Sequence, residues 1–350
     1  MINLKNDYCY IAHPLILEKL NQNREYTYNG YGFDEYTTKA VNLIKETFKC
    51  RKANVYFLPG GTITNKIAIA HSLKPYEAVI CVDSGHINTH ETGAIEQTGH
   101  KILVVKNHNG KVWGSDVEEL ILKHTDEHMV KPKMLYISNP TEYGTIYTLE
   151  EIKKLHALCE KYDLYFYIDG ARLATALTAS TNDIKAQDLA KYVDIFYIGG
   201  TKNGLMMGEA LVIVNEKLKA EFRYSLKHFG GLFAKGFLCG IQFITLFENN
   251  LFFQIGTYQN QLAAQLTEGL KKLNVQFLMP TETNQIFVTL DNDIIKKLQK
   301  NIMFEIWEEG KTSSTIRLVV HYNLKPAQIE EVIQILKQYL EEANVKNREL

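Results

Sequence analysis

The sequence predicts an α/β fold, in which helices flank a mostly parallel, seven-stranded sheet and a smaller α+β domain follows. Three observations lead to this prediction. Over residues 1–245, short apolar segments alternate with amphipathic ones, a pattern typical of strands buried between two layers of helices. After residue 245 the apolar segments follow one another closely. The length of 350 residues suits one large and one small domain.

Seven short segments are expected to form the large sheet. Each is apolar almost throughout and rich in β-branched and aromatic side chains, as strands covered on both faces are. In chain order they are NVYFL (54–58), AVICV (78–82), KILVV (101–105), MLYIS (134–138), LYFYI (164–168), DIFYI (194–198) and ALVIV (210–214).

The segment 149–162 shows most clearly that helices connect these strands. Thr148 can cap the helix, and two glutamates follow in its first turn, where the helix dipole favours acids. Apolar side chains recur at helical spacing, at Ile152, Leu155, Cys159 and Tyr162. Alternation of strands and helices of this kind predicts parallel strands.

The last hundred residues predict a different, smaller unit. Four closely spaced strands are expected before a final helix at 326–343, and they are VQFLM (275–279), NQIFVTL (284–290), IMFEIW (302–307) and TIRLVVH (315–321). We therefore expect a large domain, with an N-terminal arm, over residues 1–245 and a small α+β domain over residues 246–350.

The composition argues against several classes of function. A net charge of -1 without a basic stripe gives no reason to expect nucleic acid or an anionic membrane as partner. No apolar stretch approaches the roughly 20 residues that span a bilayer, and the N-terminal MINLKNDYCY is too polar for a signal peptide. We therefore expect a cytoplasmic protein.

The cysteines predict neither a disulfide framework nor a metal site. Their number is odd, they are scattered, and no Cys-x-x-Cys pair occurs; they are Cys9, Cys50, Cys81, Cys159 and Cys239. Reduced thiols in a cytosolic protein are the expected state.

Two charged residues follow neighbouring predicted strands. Asp169 ends the strand of YFYIDGARLATAL, and Lys202 lies beside Thr201 in the glycine-rich turn after the next strand. Alone, Asp169 could simply cap a helix beginning near Ala171, and Lys202 could be a surface lysine. Together they form the arrangement that pyridoxal phosphate (PLP) needs, because the lysine can bond C4′ while the aspartate keeps the pyridinium charged as an electron sink.

Two further segments offer groups that suit the same cofactor. Gly60, Gly61 and Thr62 open a helix after a strand, so that backbone N–H groups could approach a phosphate, although alone they are only a turn signal. His86 lies in a loop after the next strand, where an imidazole could stack on a ring or transfer a proton. A purely structural histidine is the alternative.

Taken in this order, the segments resemble the threonine aldolase and β-eliminating lyase family of PLP enzymes over nearly the whole chain. The matching segments are YGFDEYTTKAVNLIKETF (31–48), GGTITN (60–65), HINTHETGA (86–94), DGARLATAL (169–177), GGTKNG (199–204), SLKHFGG (225–231) and IRLVVHYN (316–323). The resemblance implies fold type I of the PLP-dependent transferases.

The resemblance also assigns roles to individual residues. Lys202 would carry PLP covalently, Asp169 would pair with its ring nitrogen, and His86 would stack on the ring. Thr201 would also contact the cofactor, and phosphate contacts would come from Gly60, Gly61 and Thr62. Lys227 would reach the phosphate of a neighbouring subunit, which implies a homodimer or a dimer of dimers.

The substrate contacts that the resemblance implies come from four residues. Arg172 would contact the cofactor's ring hydroxyl or the substrate, and Arg317 would clamp the carboxylate of an amino acid, for which a bidentate guanidinium is well suited. Asn6 and Tyr31 occupy further positions that would hold substrate. The implied reaction is retro-aldol cleavage of a β-hydroxy-α-amino acid of the L-threonine, L-allo-threonine or phenylserine type into glycine and an aldehyde.

Three positions depart from the family pattern. Gly60 replaces a serine in the phosphate loop, Asn6 replaces an N-terminal serine, and NPTEYGTIY (139–147) replaces a segment that contains histidine. The last change points to a β-hydroxy amino acid other than threonine, and an aryl one is a candidate.

Other functions stay open at this point. β-Elimination or transamination by a PLP enzyme is the first alternative, and a PLP-binding protein without turnover is the second. A fusion to a DNA-binding regulator is disfavoured, because the chain has no room for a helix-turn-helix region.

Overall fold

A computed structural model describes residues 1–348, with side chains described through residue 343. Within this part of the chain there are thirteen strands, and they are β1 (Ile2–Asn3), β2 (Asn54–Leu58), β3 (Glu77–Val82), β4 (Ile102–Val105), β5 (Lys131–Ser138), β6 (Tyr165–Asp169), β7 (Ile195–Gly199), β8 (Glu209–Ile213), β9 (Gln276–Phe277), β10 (Gln285–Asp291), β11 (Ile302–Met303), β12 (Glu305–Glu308) and β13 (Ser313–Val319).

The same part of the chain forms thirteen α-helices. They are α1 (Pro14–Gln22), α2 (Glu35–Thr47), α3 (Gly61–Ser72), α4 (His86–Thr89), α5 (Gly114–Lys123), α6 (Leu149–Lys161), α7 (Leu173–Leu177), α8 (Ala186–Tyr192), α9 (Phe222–His228), α10 (Phe237–Glu248), α11 (Leu251–Lys272), α12 (Asn292–Leu298) and α13 (Pro326–Arg348). As far as the chain is described, no helix is both long enough and apolar enough to cross a membrane.

The large sheet contains all seven predicted strands, in the order β2-β8-β7-β6-β5-β3-β4. Strands β4, β3, β5, β6 and β7 pair in parallel, whereas β8 runs antiparallel to both of its neighbours. The predicted α/β class with a mostly parallel seven-stranded sheet is therefore confirmed. Because β6 and β7 are parallel neighbours, their carboxyl ends meet at one edge of the sheet.

Helices cover both faces of this sheet. Along β8, Ala210 and Val212 belong to one apolar cluster, whereas Leu211 and Ile213 belong to another on the opposite face. This alternation of side chains along a strand leaves β8 buried on both faces and explains its continuous apolar sequence.

Helix α6 begins and ends almost where the sequence predicts. Thr148 Oγ1 accepts a hydrogen bond from Glu151 N at 3.2 Å, and Glu151 Oε2 accepts one from Thr148 N at 2.7 Å. This reciprocal capping box satisfies backbone donors at the helix start. Ile152, Leu155 and Cys159 are buried, as their spacing predicts.

The C-terminal strands form a second, antiparallel sheet in the order β12-β13-β10-β9. The predicted strand at 302–307 is divided into β11 and β12, because its first two residues pair with β1 at the N-terminus instead. Ile2 and Leu4 accordingly pack in the C-terminal apolar cluster. The division at residue 245 stays a prediction, and that residue lies inside α10.

Candidate active site

A cavity of about 580 Å³ opens at the carboxyl edge of the large sheet and reaches the C-terminal sheet. Groups of opposite charge share its wall with several aromatic rings. The lining residues are Tyr8, Ser84, His86, Thr89, His90, Glu142, Tyr143, Arg172, Lys202, Glu305, Ile306, Trp307 and Arg317.

Asp169 ends β6 and is almost fully buried. Its Oδ2 accepts hydrogen bonds from Tyr136 Oη at 2.6 Å and Asn65 Nδ2 at 3.1 Å, and its Oδ1 accepts one from Ala171 N at 3.0 Å. Burial acts to raise the pKa of Asp169, but His86 and the hydrogen-bond donors outweigh it and lower that pKa. A permanent negative charge is therefore held at the strand end.

Asn65 links this carboxylate to a second buried one. Its Nδ2 also donates to Glu91 Oε1 at 2.7 Å, and Glu91 Oε1 contacts His86 Nδ1 at 2.8 Å. Burial acts to lower the pKa of His86, but Glu91 and the charges of Glu142 and Asp169 raise it on balance. The three carboxylates thus shift the imidazole towards its protonated form.

Lys202 lies in a tight turn after β7 that requires glycine at two positions. A Cβ atom on Gly199 would lie 2.0 Å from Ala171 O, and one on Gly200 would lie 2.4 Å from Gly208 O. Burial and the positive charge of Arg172 lower the pKa of Lys202. A lysine in this state is closer to a neutral, nucleophilic amine.

A buried glutamate supports this turn from β8. Glu209 Oε2 accepts a hydrogen bond from Gly200 N at 2.7 Å, and Thr201 Oγ1 accepts one from Gly208 N at 3.1 Å. Burial raises the pKa of Glu209 to about 7, although the backbone of Gly200, Thr201 and the charge of Lys202 oppose the rise.

Arg172 is held by a residue far away in the sequence. Its Nε and Nη2 donate to Asp7 Oδ2 at 2.6 Å and Asp7 Oδ1 at 3.1 Å, and both residues are buried. Asn284 Nδ2 donates to Asp7 Oδ2 as well, at 3.1 Å. Burial acts to raise the pKa of Asp7, but Arg172 and Lys202 lower it on balance. The N-terminal segment is thereby fastened to the cavity wall.

Arg317 reaches the cavity from β13. Its guanidinium lies 5.2 Å from the centre of the Trp307 ring, a cation–π distance. Within residues 1–343, Arg317 Nε and Ser84 Oγ are buried without a hydrogen-bond partner. Because Arg317 and Ser84 also line the cavity, these two atoms are available to a polar ligand there.

The start of α3 fits a phosphate group. Gly60 is the N-cap, and no side chain of the described chain caps the helix. A Cβ atom on Gly60 would meet nothing within 4 Å, and Thr62 is exposed. The first N–H groups of the helix are therefore available to an anion. The buried acid, the lysine and this helix end together suit the ring nitrogen, aldehyde and phosphate of PLP.

Of the residues with predicted site roles, the cavity lining contains His86, Arg172, Lys202 and Arg317 but not Asp169, Thr201 or the phosphate-loop residues Gly60, Gly61 and Thr62, nor Asn6, Tyr31 and Lys227. Asn6 Oδ1 accepts a hydrogen bond from the backbone N–H of Tyr8 at 3.1 Å. Lys227 Nζ lies 4.8 Å from the centre of the Tyr31 ring, and both side chains are exposed. Tyr31 and Lys227 thus lie together on the surface, and their roles stay predictions.

Sequence reasoning did not identify several residues of this site. Asp7 directly follows Asn6, but no local pattern connects it with Arg172, which is 165 residues away. Glu142 and Tyr143 lie in the segment NPTEYGTIY, which departs from the family pattern. Trp307 lies on an exposed edge strand of the small sheet, and its sequence gave no signal of a site.

Comparisons with known proteins agree with this geometry. A family model described as beta-eliminating lyase matches residues 25–293. The low specificity L-threonine aldolase of Pseudomonas sp. (strain NCIMB 10558) is 29% identical over 286 residues, which are 81% of this chain and 82% of that relative.

Solved structures share the fold over nearly the whole chain. The structure of Leishmania major threonine aldolase superposes with a TM-score of 0.96 at 41% identity, covering 97% of this chain and 100% of that one. Aspartate aminotransferase from Thermus thermophilus has the same fold at 12% identity, with a TM-score of 0.71 over 97% of this chain and 91% of that one. The chain therefore belongs to the threonine aldolase and β-eliminating lyase family, which is a family of PLP-dependent lyases.

Proposed function

We propose that this protein is a PLP-dependent aldolase that cleaves a β-hydroxy-α-amino acid into glycine and an aldehyde. The observation that carries the proposal is the meeting of Lys202, Arg172 and Arg317 in one cavity, beside the buried, ionised Asp169. The relatives' names, threonine aldolase and low specificity L-threonine aldolase, support a threonine-type substrate.

Four parts of the chain would hold the cofactor. Lys202 Nζ would bond to it covalently, Asp169 would pair with its ring nitrogen, and His86 would stack on its ring. The N–H groups at the start of α3 would bind its phosphate. When bound, PLP supplies an electron sink that stabilises negative charge on the substrate's Cα.

The cationic side chains of the cavity orient the substrate. Arg317 binds the α-carboxylate, since its Nε has no partner among the described side chains. Arg172 contributes positive charge while Asp7 holds its guanidinium in place. The lowered pKa of Lys202 eases the loss of its proton, so that its amine can exchange protons with the substrate's amine and Cα.

Product analysis tests this function. The purified protein with PLP is incubated with L-threonine, L-allo-threonine and L-phenylserine in turn, and glycine and aldehyde are quantified, with Lys202→Ala as the control. We expect equal amounts of both products from at least one substrate. Release of a 2-oxo acid and ammonia instead would replace this proposal by β-elimination.

The oligomeric state and the cellular location of the protein are questions separate from its reaction. We propose a homodimer, or a dimer of dimers, in which Lys227 of one subunit serves the phosphate of its neighbour. The location in the cytoplasm stays a prediction from the sequence.

A further inference from the structure

Glu142 is the carboxylate of the cavity that has no cationic partner among the described residues. Glu142 Oε1 accepts a hydrogen bond from Ser138 Oγ at 3.2 Å. The other carboxylates of the region are engaged, because Asp7 binds Arg172 and Glu305 lies 3.7 Å from Lys5 Nζ. Glu142 thus presents acceptor oxygens to the cavity.

Positively charged groups surround Glu142 without touching it. The negative charge of Glu142 acts to raise the pKa values of Lys202, Arg172, Arg317 and His86. Among the described residues, however, Glu142 forms an ion pair with none of these groups. The space between the carboxylate and these cations is the cavity itself. An amino acid that binds there lies between two arginines and one carboxylate.

This charge distribution orients a β-hydroxy-α-amino acid. The α-carboxylate is attracted to the arginines and repelled by Glu142, since like charges in a partly desolvated site disfavour each other strongly. The β-hydroxyl is a hydrogen-bond donor and suits a carboxylate acceptor. The β-hydroxyl therefore lies on the Glu142 side of the cavity.

We propose that Glu142 is the general base that removes the proton of the substrate's β-hydroxyl. This role rests on the proposed aldolase function and assigns a catalytic task to the segment that departs from the family pattern.

Other proton acceptors of the cavity are less suited. His86 Nδ1 is already engaged with Glu91, and Glu91, Glu142 and Asp169 raise the pKa of His86, which makes its neutral, proton-accepting form less available. His90 is exposed, and its ring lies 6.1 Å from the Trp307 ring, at the side of the cavity formed by the small sheet.

The proposed step balances in protons and electrons. The β-hydroxyl proton passes to a Glu142 oxygen, the O–H electron pair forms the C=O bond of the aldehyde, and the Cα–Cβ bond breaks. The electron pair of that bond remains with Cα, which takes up a proton when glycine is released. Glu142 then returns its proton to water, so that no oxidant or reductant is required.

The Glu142→Gln variant tests the role, because it keeps the shape of the side chain and removes its basicity. We expect kcat for aldehyde release to fall roughly 10²–10⁴-fold, the usual contribution of a general base, with little change in KM. Exchange of the glycine α-proton with deuterium from solvent, followed by NMR, needs no β-hydroxyl and should stay close to the wild-type rate. Glu142→Asp should restore part of kcat.

Glu308→Gln is the control, since it neutralises an exposed carboxylate on β12 that lies outside the cavity lining, and it should keep kcat. Aldehyde release by Glu142→Gln at the wild-type kcat would overturn the role, and so would an equal loss of cleavage and glycine exchange. An increase in KM alone would assign Glu142 to binding and would also overturn it. A wild-type enzyme that exchanges glycine but releases no aldehyde would instead contradict the aldolase function itself.

Discussion

Asp169 keeps its charge inside the protein because three donors and a nearby imidazole compensate for its burial. Tyr136 and Asn65 bind one carboxylate oxygen, and the backbone of Ala171 binds the other. Hydrogen bonds to the charged form and a positive neighbour are the two effects that lower a buried acid's pKa. The sequence suggested either a helix cap or a ring partner for this residue, and the buried donors favour the second.

The first prediction concerns this charge. Asp169→Asn should keep the fold and part of the cofactor affinity but lower kcat by about 10²-fold or more, the order of loss when one electrostatic partner of a reaction is removed. Steady-state kinetics at saturating PLP, with circular dichroism to verify folding, measure this effect. Wild-type kcat in the variant would rule out the pairing of Asp169 with the cofactor.

The second prediction concerns the buried pair of Asp7 and Arg172. Asp7→Asn leaves the Arg172 charge buried without its partner, which should lower the free energy of unfolding by about 3–5 kcal/mol. Urea denaturation measures the loss, and Asn6→Ala next to it should change stability by less than about 1 kcal/mol.

The stability lost in Asp7→Asn should depend on pH in one particular direction. The folded pKa of Asp7 is lowered from its ordinary value of 3.8, so the carboxylate stabilises the fold fully above pH 3.8. Its contribution is lost as the pH falls through the folded pKa. The difference between Asp7→Asn and wild type should therefore shrink below pH 3.8, and a difference that grows there would contradict the assignment.

At the scale of elements, the turn between β7 and β8 brings Lys202 near the buried carboxyl group of Glu209, so that the charge of the lysine acts on the pKa of the acid. The folded pKa of Glu209 is about 7, above its ordinary value of 4.5. The folded state therefore binds more protons between these two values, and wild-type stability should fall as the pH rises from 4.5 to 7.

The third prediction removes this dependence. Glu209→Gln cannot ionise and should gain up to about 3 kcal/mol over wild type by pH 8, a gain that disappears near pH 4. Thermal unfolding across this range measures it, and Glu96→Gln, at an exposed position, serves as the control. A pH-independent difference would show that Glu209 is ionised in the folded state at neutral pH.

Elements were predictable where one local pattern determines them. Seven apolar segments gave the seven strands of the large sheet, and Thr148 with Glu151 marked the start of α6. The reversed direction of β8 was not predictable, since a strand buried on both faces reads the same in either direction. The pairing of β1 with β11 joins residues 300 positions apart, and two residues per strand carry no periodic signal.

At the scale of the whole molecule, the surface carries exposed aromatic side chains on the N-terminal third. They include Tyr8, Tyr26, Tyr31 and Phe33, and Lys227 lies beside Tyr31. Exposed aromatic side chains are enriched at protein interfaces. This observation supports the proposed assembly, in which Lys227 serves a neighbouring subunit.

The fourth prediction tests whether Lys227 of one subunit contributes to the active site of its neighbour. Lys202→Ala and Lys227→Ala should each have low activity at limiting PLP. Mixed dimers of the two variants should regain activity, because one of the two sites then receives Lys202 from one chain and Lys227 from the other. Mixing Lys202→Ala with Asp169→Asn is the control and should restore nothing, since both residues serve the same chain's site. Failure of the first mixture to regain activity, with mixed dimers verified by mass spectrometry, would contradict the shared site.

The site itself was partly predictable. Lys202, Asp169 and His86 each follow a recognisable strand, and the carboxyl ends of neighbouring parallel strands meet. Asp7 and Glu142 were missed, because their importance comes from distant segments that fold together. A single carboxylate in a loop has no signature of its own.

Locating the covalent link to the cofactor decides whether Lys202 carries PLP. The protein is saturated with PLP, reduced with borohydride, digested and examined by mass spectrometry, with Lys202→Ala treated in the same way. We predict that the pyridoxyl mass lies on the peptide that contains Lys202 and that the variant carries none and has no activity. A pyridoxyl group on another lysine, or activity retained by Lys202→Ala, would show that Lys202 does not carry the cofactor.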